Sequence, residues 1–203
     1  PLLFALTSLQ REANSRFGYS AKTTLSIAQA LYEKHKVLTY PRTDARALPE
    51  DYMPTVRDTL NALGGLTDYA AFSSKILTQN WVRPDKRIFD NTKISDHFAI
   101  IPTGQLPKTL NEVEQKIFDL VVRRFLAVFY PAAEYDVTVR ITTVGAHQFK
   151  TEGKVLAEPG WLEVAGKGRS QREALTPVKP GEPAAVKDVV VSAMQTKAPA
   201  RYT

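Results

Sequence analysis

The run Leu38-Thr39-Tyr40-Pro41-Arg42-Thr43-Asp44 sets a phenol and a guanidinium two residues apart. On extended backbone, residues at that spacing project to the same side, so Tyr40 and Arg42 can serve one site. Pro41 favours this geometry, because it fixes its own φ and disfavours the helical region for Tyr40. The chemistry that suits such a pair is nucleophilic attack at phosphorus. The tyrosine hydroxyl supplies the attacking oxygen, and the planar Arg fork holds phosphate oxygens and offsets charge gained in the transition state. A phenol ordinarily titrates near pH 10, so attack also requires a base or electropositive surroundings. Spacing alone does not separate this from a packed tyrosine beside a surface ion pair, which is the commoner meaning of such a pair.

The elements that must position the pair fall into two regions that meet near Pro131. From Ser8 to Tyr130 apolar residues recur at helical spacing, and from Tyr135 to Val191 they alternate in short runs. SLQREANSRFG reads as a helix closed by Gly18, and Ser20 caps a helix over AKTTLSIAQALYEKH whose Leu25, Ala28, Leu31 and Tyr32 share a core face. VLTY is β-branched and aromatic enough for a short strand that Pro41 ends. Pro49 opens a helix over PEDYMPTVRDTLNAL, stopped by Gly64-Gly65, with Pro54 either kinking it or marking its true start. No element is assigned between Gly65 and Asn111. The clearest helix is NEVEQKIFDLVVRRFLAVFY, with Asn111 and Glu114 as a capping box and Ile117, Leu120, Val121 and Phe125 as a buried stripe. Beyond it, YDVTVRITTVGAHQFKTEGKVLAE reads as a hairpin turning at Val144-Gly145-Ala146, with Val137, Val139 and Ile141 on one face. AAVKDVVVSA is a further expected strand, and the Gly- and Pro-rich stretch 164–183 between them is an expected mobile loop.

The bulk properties admit this reading without compelling it. Of 203 residues, 43% are hydrophobic and 24% charged, as in ordinary globular proteins. The 27 Lys and Arg against 21 Asp and Glu give a formal charge of +6, a mild lean towards acidic partners. With no cysteine and three histidines, disulfides, thiolate metal sites and cysteine nucleophiles are excluded. The sequence has no long apolar run and no signal-peptide pattern at its start, so a cytoplasmic location without membrane is expected. It opens at Pro1 and ends at Thr203 without an initiator Met or closing signal, and reads as a piece of a longer chain.

Wording beyond the heptapeptide decides the reading. LTYPRTD resembles the active-site tyrosine motif of type IA DNA topoisomerases. Three further segments resemble that family in the same order: TSLQREANSRFGYSAKTTLSIAQALYE, SDHFAIIPT and the strand-rich EGKVLAEPGWLEV. The proline after the tyrosine, the His-Lys before VLTY, and DHFAIIPT point to the topoisomerase III branch. The resemblance implies a toroidal enzyme that cuts one DNA strand through a 5′-phosphotyrosine, passes another strand through the gap and reseals it. It implies an α+β fold: a mainly helical, winged-helix-like tyrosine domain over residues 1–131, then a small antiparallel β region over 132–203 from the hinge domain and the start of the next. By motif position, Tyr40 is the nucleophile, Arg42 steadies the scissile phosphate, and His97 lies near that phosphate. Gln29, Glu33, Thr39 and Asp44 support the tyrosine loop. Each has a plainer alternative: a hydrogen-bonded packing histidine for His97, and a solvated helix face for Gln29 and Glu33. Arg11, Arg16 and Lys22 are candidate phosphate contacts or surface charges.

The family's Mg²⁺-binding acidic domain has no counterpart in this sequence, so the resemblance implies Mg²⁺ held elsewhere in the full-length enzyme and none in this piece. The expected partners are single-stranded DNA and the remaining domains of the same polypeptide. Alone, the piece is expected not to relax DNA. Two readings stay open: a tyrosine recombinase or type IB-like enzyme, whose tyrosine would sit late in the chain and attach to a 3′ phosphate, and a non-catalytic winged-helix DNA-binding module.

Overall fold

A computed structural model describes residues 1–166, 174–185, 188, 190 and 192–198. Helices α1 (Leu6–Phe17), α2 (Ala21–Glu33), α3 (Met53–Leu63), α4 (Thr67–Thr78) and α5 (Glu112–Phe129) precede strands β1 (Glu134–Val144) and β2 (His147–Glu158), and a single helical turn α6 (Leu162–Ala165) follows. This is a mixed architecture of helices and one small antiparallel sheet.

α5 is the centre of the core. The expected stripe of Ile117, Leu120, Val121 and Phe125 is buried, and so are Phe118, Val122 and the whole run Leu126–Tyr130. Its first turn is closed as the sequence indicates: Asn111 Oδ1 accepts from the Glu114 N–H at 2.9 Å, and Glu114 Oε2 accepts from the Asn111 N–H at 3.0 Å. Ser20 caps α2 by accepting from the Thr23 N–H at 3.0 Å, and Gly18 ends α1 with φ +71°.

Several expectations need correction. The buried face of α2 is Thr24, Ile27, Ala28 and Leu31, while Leu25 and Tyr32 lie at the margin, a rotation of the face by one residue. The helix expected from Pro49 begins with a 3-10 turn at Glu50–Tyr52, and α3 starts at Met53, where Pro54 falls in the first turn and its missing N–H costs nothing. VLTY forms no strand. Leu38 makes one antiparallel bridge, opposite Pro102, with Thr39 N–H donating to Ile101 O and Thr103 N–H to Val37 O. Pro102 occupies the position of that pairing whose N–H is not needed, and with Pro41 three residues beyond Leu38 the ladder does not grow. The WLEV part of the expected strand-rich segment is α6 instead. Gly160 sets the turn into it: a Cβ there would stand 2.4 Å from Ala132 O, so only glycine fits. α4, unassigned from sequence, buries Tyr69, Ser73 and Ile76.

The hairpin is as read, with Val137, Val139 and Ile141 opposite Lys154, Glu152 and Lys150, and Gly145 at φ +59° in its two-residue turn. Of the strand expected over 184–193, residues 186, 187, 189 and 191 lie outside the described set, and the described ones carry no strand. Of the expected loop over 164–183, Val164 and Ala165 belong to α6, residues 167–173 lie outside the described set, and 174–183 show no helix or strand. Among the described residues no helix is long and apolar enough to cross a membrane.

Candidate active site

Tyr40 sits on irregular backbone that neighbouring threonines hold in place. Thr39 Oγ1 donates to Ala99 O at 3.0 Å and accepts from the Ile101 N–H at 2.9 Å. Thr43 Oγ1 donates to His97 O at 2.8 Å and accepts from the Ala45 N–H at 3.0 Å. Thr43 O in turn accepts from the Leu6 N–H, which ties the start of α1 to the same loop. The tyrosine segment and the segment 97–103 are thus one backbone unit, clamped on either side of Tyr40.

Within this frame the half-buried Tyr40 ring packs against two others. The His97 ring lies at a centroid distance of 4.4 Å, and Tyr32 of α2 meets Tyr40 nearly edge-on at 5.4 Å and 78°. Lys36 Nζ stands over the Tyr32 ring, 5.7 Å from its centroid. Arg42 is exposed, and its Nη2 reaches Gln29 Oε1 at 3.4 Å, a long contact that orients the guanidinium without consuming it.

An open groove of about 460 Å³ runs past this cluster, lined by Leu6 and Thr7 from the first turn of α1, Arg42, Thr43, Asp44, and the segment Ser95-Asp96-His97. α1 carries no acidic residue in its first turn, and with the Ala5 N–H taken by Ser8 Oγ and the Leu6 N–H by Thr43 O, the Thr7 N–H is the one beside the groove left for an anion. Asp44 Oδ1 accepts from Ser95 Oγ at 3.3 Å. Arg42 is the one fixed positive charge among the lining side chains, against the carboxylates of Asp44 and Asp96. A phosphate here would be held by directed donors rather than by excess positive charge. Tyr40 does not itself line the groove but packs on His97, which does, so the arrangement sets a phenol next to a place where Arg42 can hold a phosphate.

The structure thus gathers Tyr40, Arg42, His97, Thr39, Asp44 and Gln29. It does not gather the others. Glu33 is exposed at the end of α2 and makes no side-chain hydrogen bond among the described residues. Arg16 pairs with Glu12 at 2.8 Å, in a cluster where Glu12 also pairs with Arg124. Lys22 is exposed in the first turn of α2, seven residues and about 10 Å of helix from Gln29. Arg11 is exposed one turn beyond Thr7 on α1. The reading of the sequence missed Tyr32, Thr43 and the start of α1. Tyr32 had a signal, since it follows Gln29 by three residues on the same helix. Among the described residues no group of three or more His, Asp or Glu side chains could hold a metal ion, so the residues present do not fit the Mg²⁺ that the resemblance implies.

Comparison with known proteins bears on the family and the fold. The chain is similar over its whole length to DNA topoisomerase 3 of Bacillus cereus, at 45% identity, and of Bacillus subtilis, at 40% identity. In each case it spans 29% of the relative's length. Its fold is similar to full-length topoisomerase I from Thermotoga maritima, with a TM-score of 0.61 and 26% identity over 90% of this chain and 29% of that one. The profile of the family described as DNA topoisomerase matches residues 1–203, and the chain belongs to that family, on the side of the type III enzymes.

Proposed function

We propose that this chain is the tyrosine-bearing part of a type IA topoisomerase that cuts and reseals one DNA strand. The supporting observation is the seating of Tyr40 between His97 and Tyr32, beside a groove that Arg42 borders. In the proposed reaction the Tyr40 oxygen attacks a backbone phosphorus and loses its proton. The new bond joins the phenolic oxygen to the 5′ phosphate, the bond to the 3′ oxygen breaks, and that oxygen leaves as a hydroxyl after taking up a proton. Resealing is the reverse. Arg42 and the first turn of α1 grip the phosphate, His97 packs against the nucleophile and borders the groove, and Thr39, Asp44 and Gln29 hold the loop. The helical region up to Pro131 corresponds in this reading to a winged-helix-like tyrosine domain, and the hairpin beyond it to part of a hinge. Mg²⁺ and the group that protonates the leaving oxygen belong to the remainder of the polypeptide, in the cytoplasm.

The test adds the remaining part of a type III relative, Mg²⁺ and labelled single-stranded DNA to the chain. A covalent adduct on the 5′ phosphate should form, and Tyr40→Phe should abolish it while leaving noncovalent binding within about twofold. An adduct that survives Tyr40→Phe would sink the reading. Attachment to the 3′ phosphate would favour a recombinase-like enzyme, and binding that never becomes covalent would favour a non-catalytic module.

A further inference from the structure

A second groove, sharing no lining residue with the first, lies between residues 81–88 and the C-terminal end of α5. It has a volume of about 640 Å³, and its walls include Trp81, Arg83, Lys86, Arg87 and Tyr130. The three cations stand within five residues of one another, and all are exposed. Arg83 spends its Nε–H on Asn80 O at 2.9 Å and keeps the outer nitrogens of its fork. The Lys86 side chain makes no hydrogen bond or ion pair among the described residues. Arg87 pairs with Asp85 at 3.3 Å, but both side chains are about half exposed, so the pair exchanges readily for a ligand. Asp85 also lines the groove, and its Oδ1 accepts from the Arg87 N–H at 2.8 Å. The half-buried Trp81 ring is braced against Tyr130 at 4.8 Å and 64°. Tyr130 itself is 4% exposed, and its hydroxyl has no hydrogen-bond partner among the described residues.

Structural roles explain part of this. Cations near the end of α5 complement its dipole, and Trp81 packs on the core. They do not explain three exposed cations facing an open groove beside an indole. That combination, charges that track a phosphate backbone and a braced aromatic that stacks a base, is the chemistry by which proteins hold single strands without reading their sequence. We propose that this groove is a second seat for a single polynucleotide strand, where Arg83, Lys86 and Arg87 hold successive phosphates and Trp81 stacks a base. The proposal rests on the reading that the chain acts on nucleic acid, and it does not require Tyr40 to be the nucleophile. Pro131, where the chain passes into the hairpin, is part of the groove wall, so a strand seated there lies beside the junction of the two regions.

The test uses the 203-residue chain carrying Tyr40→Phe, so that nothing becomes covalent through that residue. The probe is a short oligothymidylate with a photoreactive thiothymine and a fluorescent end label. A photocrosslink in the peptide containing Trp81 is expected. The combined substitutions Arg83→Ala, Lys86→Ala and Arg87→Ala should abolish that crosslink and weaken binding about tenfold. They should also reduce the slope of log affinity against log salt by about 2, at roughly 0.7 per phosphate on a single strand. Trp81→Ala should weaken binding about fivefold or more with the slope unchanged, Trp81→Phe should restore it, and thermal melts check that each variant is folded. Unchanged affinity and slope in the triple variant would overturn the proposal. In the unsubstituted chain with its complementing part, a Tyr40 adduct with crosslinks confined to residues 38–44 would sink the groove and keep the Tyr40 reading. A Trp81 crosslink without any Tyr40 adduct would do the reverse.

Discussion

Tyr40 is held by contacts that reach beyond its own motif. Tyr32 and His97 bracket its ring, and Thr39 fixes the backbone under it. Tyr32→Ala removes an edge-to-face pair worth about 0.5–1.5 kcal/mol, which becomes freedom for the proposed nucleophile to swing. Adduct formation in the complemented system should slow about fivefold to tenfold, while Tyr32→Phe, which keeps the ring, should stay within about twofold. Equal losses for both variants would mean that the hydroxyl matters and the packing does not. Thr39→Val keeps the shape of the side chain and leaves Ala99 O and the Ile101 N–H without partners, at about 1–3 kcal/mol. A lower melting temperature than Thr39→Ser checks it, and equal melting would remove Thr39 from the clamp. At this scale the sequence exposed Tyr40 and Arg42 through their spacing, and the resemblance supplied His97, Thr39, Asp44 and Gln29. Tyr32 was legible only as a core residue, because its role depends on a contact between α2 and a loop eight residues further on. Glu33 shows the converse: a motif position that makes no side-chain hydrogen bond or ion pair among the described residues.

Among the elements, α5 was readable almost residue by residue, since its cap and its apolar period agree. Its N-terminus also carries a link that no local pattern reveals. The Glu114 carboxylate that closes the capping box also meets His35 Nε2 at 3.1 Å, joining α5 to the turn that leads into the tyrosine segment. The Asn111 N–H holds the Glu114 carboxyl below the usual carboxylate range, His35 and Lys34 adding to this and burial opposing it. A lowered native pKa means that Glu114 contributes stability fully above the unfolded value, near pH 4.3, and loses it as the pH falls towards the native one. The melting-temperature gap between the chain and its Glu114→Gln variant should therefore be widest near neutral pH and narrow below about pH 4.3. A gap that is flat across that range would show that the carboxylate charge is irrelevant there. Asn111→Ala should cost about 1 kcal/mol at neutral pH, read as a lower melting temperature. α4 escaped notice although Tyr69, Ser73 and Ile76 keep helical spacing, because Gly64-Gly65 reads as the end of a helix rather than the joint between two. VLTY misled for the opposite reason. Its residue types favour a strand, but two prolines limit it to one bridge, and the threonine side chains do the work of a ladder.

For the molecule as a whole, the decisive asymmetry is between a helical body with a deep core and a hairpin with almost none. Val137 is 59% exposed, Ile141 54% and Phe149 57%, and these residues lie on both faces of the ribbon. Among the described residues the ribbon has only these two strands, and a two-stranded ribbon is marginal in water, with outer backbone groups on both edges that its own strands do not pair. Its base is anchored, since the Trp161 N–H donates to Pro131 O at 3.0 Å and Gly160 packs directly on Ala132. Hydrogen exchange on the isolated chain should therefore show slow amides in α5, intermediate ones at Glu134–Asp136, and fast ones around Gly145. A chain that spans 29% of its relatives' length leaves ample polypeptide to cover those faces. The same division predicts that the isolated chain does not relax supercoiled DNA, since the groove beside Tyr40 offers one fixed positive charge against two carboxylates. Relaxation by the purified chain would refute that. If the remaining polypeptide supplies both the missing charge and the missing sheet, adding it should slow exchange in β1 and β2 in the same titration that restores adduct formation at Tyr40. Restored adduct with unchanged exchange at Val137–Ile141 would show instead that the hairpin stays uncovered while the site is complete, and would separate the ribbon from the chemistry.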